Sequence, residues 1–434
     1  MADIQVSPVG DTVNFGVGFP NDQITRHVHN AVWTTALIGY VFYYQTSGTV
    51  GVYYVKTLDG GLTWSAKVTV STSVPNLKGL GVWFDKWTPG ITGTKIHLGY
   101  NSRTAFDGVH YYRSLDTATD TLSSEALLFS SITLYGGLCL PCKARDGTLY
   151  VYIQVDAAAA NQKLFRSTDD GGSWLARSTV GLQGSAPAHQ AVLSPAVAAG
   201  SSDVYLMKWH SNTMVLEYYN NTADTWTRTT IESADPLSMD ATIRNSDGHT
   251  FLIYLISAGG ANRTLRCVEI TGNTTFTQLT DVFTAEAGHN SEGAISIGIW
   301  EPVELLVFYE GQGGNVLQAG AKKSANGGIT WINEQRIDEG GNVNIVGQGE
   351  LFFAATGRVL SVWAGTDSII WGNFVTLIDY TIEVLIDSSV SDDTKALLTK
   401  RVLRALEHRT LALEESPTYS AGSTSANHQS ITVT

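Results

Sequence analysis

The turn that decides the fold occurs three times in this chain. It reads TLDGGLTW at residues 57–64, STDDGGSW at residues 167–174 and SANGGITW at residues 324–331. All three fit the pattern [ST]-x-[DN]-x-G-x-[ST]-W. In such a hairpin connection the Asp or Asn side chain accepts hydrogen bonds from backbone amides of the turn, and a glycine supplies a positive φ angle. The Trp then begins the next strand and buries a large ring.

Weaker copies of this turn lie between the three clear ones and reveal a period. They read SLDTATDT at residues 114–121, YNNTADTW at residues 219–226 and EITGNTTF at residues 269–276. The six copies end at positions 64, 121, 174, 226, 276 and 331, at intervals of 57, 53, 52, 50 and 55 residues. A period near fifty residues is typical of the blades of a β-propeller and is longer than one solenoid rung.

Each period contains four strand-like runs, A to D, and the turn always links C to D. In the second period the runs are residues 80–87, 95–100, 109–113 and 124–129. A last set without the turn comprises residues 343–354, 359–363, 369–375 and 381–386. The sequence therefore predicts an all-β, seven-bladed propeller over residues 23–387, with six blades as the alternative if the last set is an appendage. Residues 1–22 would form an N-terminal arm or a closing strand.

The chain changes character after residue 387. Residues 388–415 predict a helical segment, with Asp392 and Asp393 at its positive end and Leu398, Val402 and Leu406 at helical spacing. Residues 416–434 form a Ser/Thr-rich tail whose last five residues are strand-like. The helix either packs on the propeller or, with the tail, contacts another subunit, for example by strand addition.

Composition excludes several classes of function. Charged residues make up only 15% of the chain, the net charge is −13 and the pI is near 5.2, which argues against a nucleic-acid groove. The N-terminus lacks the basic and apolar regions of a signal peptide, and no apolar run reaches the length of a membrane helix. Cys139, Cys142 and Cys267 are interpreted as buried structural thiols, and no cofactor is expected.

The three turns and their weaker copies resemble the Asp-box, or BNR repeat, of sialidases and their relatives. The resemblance covers roughly residues 23–387 and implies the propeller fold, but it does not imply an activity. In that family the same box occurs in hydrolases, sorting receptors, assembly factors and virion proteins, remote from any active site. The positions it implies as structural are Asp59, Gly61, Trp64, Asp169, Gly171, Trp174, Asn326, Gly328 and Trp331.

The resemblance to sialidases also implies a site that can be sought in the sequence. That site has three arginines that clamp a carboxylate, a Tyr nucleophile with a Glu, and an Asp acid/base. Arg26 stands near the family's first arginine but lacks the aromatic residue and the proline of its motif. Arg244, Tyr309 and Glu310 are further candidates outside any family motif. Tyr309 and Glu310 are adjacent on a strand and so point to opposite faces unless a bulge intervenes.

The sequence also offers candidate residues for a glycosidase site and for a metal site. A glycosidase with paired carboxylates would draw on Asp85, Asp240, Glu292 and Glu310, but nothing in their spacing selects a pair. His27 and His29 share one face of an inner strand, yet the sequence places no third ligand, so no metal site is predicted. A polar axial lining is expected instead, composed of His27, His29, His189, His289 and Glu292.

Together these observations predict a non-catalytic structural or binding propeller. The low-charge, Gly/Thr/Ser/Ala-rich texture is similar to that of structural proteins of tailed bacteriophages, such as tail, fibre or head-decoration proteins. This implies an oligomeric assembly in a virion made in the host cytoplasm, with other virion proteins bound through residues 388–434 and a host glycan as a candidate ligand. No nucleic-acid or membrane partner is expected. The alternatives are a sialidase-like glycoside hydrolase and a cytoplasmic or secreted location.

Overall fold

A computed structural model of the chain shows an all-β fold. It describes residues 4–9, 11–14, 30–35, 37–74, 77–104, 107–131, 137–154, 162–182, 191–210, 213–234, 236–258, 262–286, 295–300, 304–312, 315–336, 343–346, 358–365, 369–376, 419–420 and 430–431. The helical segment predicted for residues 388–415 lies outside these ranges. Among the described residues, no helix has the length and apolar character needed to span a bilayer.

The strands follow one another along the chain. The first half contains β1 (Ile4–Gln5), β2 (Val13–Asn14), β3 (Ala31–Trp33), β4 (Gly39–Gln45), β5 (Gly51–Thr57), β6 (Val68–Ser71), β7 (Leu77–Phe84), β8 (Lys95–Thr104), β9 (Asp107–Asp116), β10 (Thr121–Leu122), β11 (Ala126–Ser131), β12 (Leu138–Lys143), β13 (Leu149–Gln154), β14 (Gln162–Ser167), β15 (Leu175–Ala176), β16 (Ala191–Pro195) and β17 (Val204–His210). A short 3-10 turn, Asp85–Trp87, follows β7.

The second half contains β18 (Thr213–Asn220), β19 (Thr225–Glu232), β20 (Pro236–Ile243), β21 (Thr250–Ser257), β22 (Arg263–Ile270), β23 (Phe276–Gln278), β24 (Phe283–Glu286), β25 (Ile295–Trp300), β26 (Glu304–Gln312), β27 (Asn315–Ser324), β28 (Ile332–Arg336), β29 (Val343–Val346), β30 (Arg358–Gly365), β31 (Ile370–Thr376), β32 (Tyr419–Ser420) and β33 (Ser430–Ile431). The last two pair as a hairpin in the tail.

Six antiparallel sheets are built from continuous stretches of chain, and we number them as blades 1 to 6. In chain order they are β2–β6, β7–β11, β12–β15, β16–β19, β20–β24 and β25–β28. Neighbouring strands pair in simple succession, as in β12-β13-β14-β15. The predicted all-β propeller is therefore confirmed, and the C-to-D position of the three clear turns follows from the same strand order.

A further sheet joins the two ends of the chain and we call it the closing sheet. Its order is β1-β31-β30-β29, so the N-terminal strand pairs with a strand near the C-terminus. Within the described residues, β1 occupies the fourth position, for which the sequence had suggested residues 381–386. Those residues lie outside the described ranges. Val6 and Ile370 are buried together with Ala31 and Trp33 of blade 1, which seals the ring at this point.

The core lies between the blades instead of inside one sandwich. Because each sheet is covered on both faces, its middle strands are apolar without alternation, as in GYVFYYQ of β4 and LYVYIQ of β13, in which every residue is buried. The largest apolar cluster runs through blades 1 to 4 and includes Phe42, Leu98, Tyr152 and Leu206. Aromatic and β-branched side chains suit such twisted, closely stacked sheets.

The three clear turns share one internal hydrogen-bond pattern. In the first, Thr57 Oγ1 donates to Asp59 Oδ1 at 2.8 Å, and the Gly61 amide donates to Thr57 Oγ1 at 2.9 Å. Thr63 donates to Asp59 through its amide (2.9 Å) and its hydroxyl (2.5 Å). The positive φ of Gly61, 96°, explains the glycine at that position. The turn at residues 167–174 repeats these bonds. The turn at residues 324–331 repeats them with one reversed, because Asn326 Nδ2 donates to Thr330 Oγ1 at 2.9 Å.

Candidate functional site

The strand order gives the ring two distinct faces. Strands alternate in direction within a blade, so the A–B and C–D connections lie at one end, which we call the turn face. The B–C and D–A connections lie at the other end, which we call the loop face. In propellers and other β folds, connections carry most binding groups, because the strands themselves are committed to packing. The described polar groups differ between the two faces.

The largest cluster of titratable side chains lies on the turn face, between blades 2 and 3. His97 Nε2 is 2.8 Å from Asp85 Oδ1, and His97 Nδ1 is 2.7 Å from the hydroxyl of Tyr112. Lys143 Nζ donates to the same Asp85 oxygen at 2.7 Å. Burial alone would raise the pKa of Asp85, but its hydrogen bonds with His97 and Lys143 and their charges hold that pKa well below its ordinary value.

This cluster extends to the turn at residues 167–174. Lys143 Nζ also donates to Asp170 Oδ1 at 2.8 Å, and Lys95 Nζ of blade 2 donates to Asp170 Oδ2 at 2.6 Å. Burial lowers the pKa of Lys143, but the two carboxylates outweigh this effect and raise it. Two aspartates and two lysines therefore alternate from the interior to the surface, and they join blade 2 to blade 3.

The Tyr112–His97–Asp85 chain has the connectivity of a proton relay, but its tyrosine is closed off. Tyr112 is 2% exposed, and Trp174 packs edge-on against its ring with 4.8 Å between centroids. Gly171 approaches the ring so closely that a side chain there would collide with it. Burial raises the pKa of the Tyr112 phenol. In this arrangement the relay fixes the second turn to blade 2 and does not face a substrate.

A second buried cluster lies toward the loop face, between blades 3 and 4. Lys208 Nζ is 3.0 Å from Glu217 Oε2, and both side chains are fully buried. Lys208 also donates to Gln162 Oε1 at 2.8 Å, and the Tyr152 hydroxyl donates to the same oxygen at 2.7 Å. Burial lowers the pKa of Lys208 in spite of the attraction of Glu217. The Lys208–Glu217 ion pair is therefore buried beneath the loop face and shielded from solvent.

Polar side chains also connect the innermost strands around the ring axis. Asn101 accepts a hydrogen bond from the Gly79 amide at 2.8 Å and donates to the Gly137 carbonyl, which belongs to blade 3. Asp240 Oδ2 accepts a hydrogen bond from the Ile297 amide of blade 6 at 2.8 Å. Asp240, a predicted candidate carboxylate, is fully buried and bridges two blades, whereas Asp85 belongs to the turn-face cluster.

One aromatic side chain at the loop-face end of blade 4 differs from the packed aromatics of the core. Trp209 is the next-to-last residue of β17 and is partly exposed, with one face against the apolar cluster between blades 4 and 5. Its indole Nε1 is buried and has no hydrogen-bond partner among the described residues. On the adjoining blade 3, the strand ends at this face are Gln154 and Gln162, and both are buried.

The structure separates the predicted sialidase candidates that it describes. Arg244 lies at the A–B connection of blade 5, on the turn face, where Nη2 is 2.6 Å from Asp247 and 2.7 Å from Glu269. Its Nη1 lies close to Gly327 of the third clear turn. Tyr309 is 1% exposed on β26, stacked edge-on against Phe283. Arg244 is therefore engaged in ion pairs on the turn face, whereas Tyr309 is buried within blade 6.

The remaining candidates lie outside the described residues or lack a described side chain. Glu310 belongs to β26, and only its backbone pairing with Ala319 is described. The residues beyond the described ranges are Arg26, His27, His29, His189, His289 and Glu292. Among the described side chains, no three His, Cys, Asp or Glu residues are placed to share a metal ion. Cys139, Cys142 and Cys267 are buried and free, and burial raises the pKa of the thiols of Cys139 and Cys267.

Sequence reasoning missed the two inter-blade clusters, although one signal was available. Lys208 and Glu217 stand in strands that are otherwise apolar, VYLMKWH and TMVLEYYN. A charged residue within such a run requires a buried partner, and two such residues in consecutive strands indicate each other. No comparable signal joins Asp85, His97 and Tyr112, because their meeting depends on how two blades stack.

Comparison with known proteins identifies the fold and no family. No protein-family model matches the chain, and no curated protein matches it. Among solved structures, a polysaccharide lyase of family PL25, an ulvan lyase, is similar with a TM-score of 0.52 and 13% identity, over 86% of this chain and 99% of that one. The same lyase was also solved bound to -[GlcA(1-4)Rha3S]-.

Two further structures are more distant. The six-bladed fucose-binding lectin of Aleuria aurantia has a TM-score of 0.44 and 11% identity, over 71% of this chain and 97% of the lectin. The NanB sialidase of Streptococcus pneumoniae, as its K499G mutant, has a TM-score of 0.42 and 8% identity, over 85% of this chain and 71% of the sialidase. At these identities the similarity concerns the fold alone.

Proposed function

We propose that this protein is a non-catalytic β-propeller that binds a neutral glycan at its loop face. The observation that carries the proposal is Trp209, a partly exposed indole at the loop-face end of β17. A sugar ring offers an apolar face that can stack on such an aromatic ring. Aromatic surface with a few oriented polar groups is the usual composition of a small-molecule site.

The distribution of charge favours a neutral ligand over an anionic one. Lys208, next to Trp209, is paired with Glu217 and fully buried, so it is not available to a ligand. The chain as a whole has a net charge of −13. A polyanion such as a sulfated polysaccharide would meet long-range repulsion from this net charge. That the similar ulvan lyase was solved with a bound saccharide supports a glycan as the ligand class.

The sialidase-like alternative gains no support from the described residues. Arg244 lies on the turn face and is neutralised by Asp247 and Glu269, so it is not available to clamp a substrate carboxylate at the loop face. The Tyr309 hydroxyl is buried inside the sheet packing. A lyase or hydrolase activity would therefore have to rest on residues outside the described ranges.

Titration of the intact protein with neutral and anionic polysaccharides tests the proposal. We expect a neutral glycan to bind, Trp209→Ala to weaken its affinity at least about tenfold, and Trp209→Phe to retain part of it. Trp64→Ala is the control, because it removes an indole from the turn face, and we expect it to leave the affinity for the glycan unchanged. The proposal is contradicted if none of the glycans binds or if the two alanine variants lose the same affinity. Shortened saccharide products would contradict a non-catalytic site.

We further propose that the closing sheet is a full blade, which makes seven in all. Its support is the pairing of β1 with β31 and the burial of Val6 and Ile370 against blade 1. Averaged electron-microscope images along the ring axis would count the blades directly, and six would refute this interpretation. The virion role, with partners bound through residues 388–434, stays a prediction from the sequence, and co-sedimentation of the protein with virus particles would test it.

A further inference from the structure

The innermost strand of blade 5 has one polar face. In β20, the side chains of Ser238, Asp240 and Thr242 alternate with apolar ones, and all three are fully buried. We call these three residues the polar stripe. Their cross-strand partners in β21 are apolar: Leu255, Ile253 and Phe251. These partners belong to the apolar cluster shared with blade 6. Since cross-strand partners share one face of a sheet, the polar stripe faces blade 6.

The innermost strands of other blades do not share this composition. Those of blades 3, 4 and 6 read LCLPCK, AVLSP and ISIGIW, so each contains a single Ser or Lys. Apolar side chains are therefore the ordinary solution at this position of the ring. Burial of a polar group costs free energy unless a hydrogen bond replaces the water that it loses. Three buried polar side chains on one face of β20 consequently require partners.

The middle of the polar stripe has such a partner across the blade boundary. Asp240 Oδ2 accepts a hydrogen bond from the Ile297 amide of β25 at 2.8 Å. Both β20 and β25 are the first strands of their blades, so they run in the same direction side by side. Backbone amides two residues apart on a strand point the same way. The amides before and after Ile297, at positions 295 and 299, therefore also point toward the polar stripe.

The two ends of the polar stripe differ from its middle. Ser238 lies near the level of Ile295, and Thr242 lies near the level of Ile299. Ser238 Oγ and Thr242 Oγ1 are buried, and neither has a hydrogen-bond partner within the described part of the chain. A serine or threonine oxygen is one bond from Cβ, whereas an aspartate oxygen is two bonds away. The two hydroxyl groups therefore end short of the strand that Asp240 reaches.

We propose that the junction of blades 5 and 6 binds two ordered water molecules, one at Ser238 and one at Thr242. Each water is hydrogen-bonded to the hydroxyl group and to the backbone of β25 at the same level. Water molecules, Asp240 and the two hydroxyl groups then join the innermost strands at three successive levels. Buried waters typically make roughly three hydrogen bonds to polar groups that otherwise lack partners. Water fits better than a larger ligand, because both hydroxyl groups are fully enclosed beside an apolar cluster.

The sign of a stability change tests this proposal. Thr242→Val keeps the shape of the side chain but removes the hydroxyl group that holds the water. In chemical denaturation of the full chain, we expect the unfolding equilibrium constant to rise roughly five- to tenfold. Thr250→Val is the matched control, because Thr250 is equally buried and its hydroxyl lies 3.3 Å from Ser194 Oγ. A Thr242→Val protein that is as stable as the wild type or more stable, beside a destabilised control, would overturn the proposal.

A high-resolution crystal structure of the full chain provides a direct measurement. We expect a water oxygen roughly 3 Å from Ser238 Oγ and another at the same distance from Thr242 Oγ1. Ser238→Asn lengthens the side chain to the reach of Asp240, so it should displace the first water and leave the second in place. The proposal is refuted if either hydroxyl group bonds directly to protein groups, or if no water density lies beside it.

Discussion

The clear turn at residues 57–64 and the divergent turn at residues 114–121 connect equivalent strands, C and D, in blades 1 and 2. Their hydrogen bonds differ. In the first, Asp59 receives its hydrogen bonds from Thr57 and Thr63 inside the turn. In the second, Asp120 accepts from the Tyr40 hydroxyl at 2.7 Å and from Lys56 Nζ at 2.5 Å, and both donors belong to blade 1. The aspartate of the first turn is bonded within the turn, whereas Asp120 is bonded to the preceding blade, although Asp116 still accepts from the Ala118 amide inside the second turn.

The divergent turn of blade 4 adds bonds to the preceding blade to bonds of its own. Asp224 accepts from the Tyr219 hydroxyl of the same turn at 2.7 Å. It also accepts from the Ser178 amide at 3.0 Å and lies 3.4 Å from Arg177 Nη2, and both of these residues belong to blade 3. Asp120 and Asp224 have φ angles of 53° and 54°. Asp170, at 58°, is the one other described non-glycine residue with positive φ, and it sits in a clear turn that also bonds to the preceding blade. Aspartate tolerates this conformation better than most residues.

The comparison shows that one fold position can be stabilised locally or by a neighbour. Local closure needs a fixed set of side chains within eight residues, so it is visible as a sequence pattern. Bonding to a neighbouring blade needs one aspartate with positive φ and a donor 46 to 80 residues earlier, so it leaves no local pattern. The turn at residues 167–174 combines the two, since Asp169 closes it internally and Asp170 joins the buried cluster. Mutations can separate these contributions.

The largest effect is expected at the buried end of that combined turn. Asp85→Ala removes the acceptor shared by His97 and Lys143 and leaves both donors buried without it, which costs about 3–5 kcal/mol of unfolding free energy. Chemical denaturation measures the loss. Adding Lys143→Met recovers part of it, because the unpaired charge is gone. Asp116→Ala, in the divergent turn and without ion pairs among the described residues, is the control, and equal losses in the two alanine variants would contradict the network.

A smaller effect is expected at Asp120, whose hydrogen bonds come from the neighbouring blade. Asp120→Ala loses two hydrogen bonds and places alanine at a positive φ, which together lower the unfolding free energy by about 2 kcal/mol. Asp120→Gly relieves the backbone and is less harmful. A double-mutant cycle with Tyr40→Phe measures the contact between blades, and we expect a coupling of about 1 kcal/mol. A coupling of zero would show that the turn is held by its backbone and not by blade 1.

Sequence reasoning reached the fold because the fold repeats and the clear turns are local. The Trp at the end of each clear turn marked the period, and the strand order then followed. It offered a closing strand from residues 1–22 as one of two alternatives but could not identify its partner, because the pairing of Ile4 with Gly372 joins residues at opposite ends of the chain. No period within the sequence identifies such a pair.

The site was less predictable for a related reason. Arg244 and Tyr309 were chosen by residue type, but burial and partners decide their role, and these depend on how blades stack. The sequence shows Lys208 and Trp209 near the end of one apolar strand and Glu217 within the next. The signal was present, but the face to which each strand end belongs became clear only with the strand directions.

Acid titration of the clear turns is the smallest and most selective test of the comparison. Hydrogen bonds from Ser173 and Ser167 lower the pKa of Asp169 from its ordinary 3.8 to about 2. Partial burial would raise the pKa of Asp59, but hydrogen bonds from Thr63 and Thr57 lower it. A carboxylate with a lowered folded-state pKa stabilises the turn above its ordinary pKa, and this stabilisation is lost as the pH falls through the lowered value.

The third clear turn lacks this dependence, because Asn326 takes the place of the aspartate and does not titrate. Hydrogen exchange of peptides that cover the three turns therefore separates them between pH 4 and about pH 2. We expect protection factors to fall for residues 57–64 and 167–174 and to hold for residues 324–331. Asp169→Asn makes the second turn behave like the third. If that variant lost protection at the same pH as the wild type, the carboxylate would not be the group responsible.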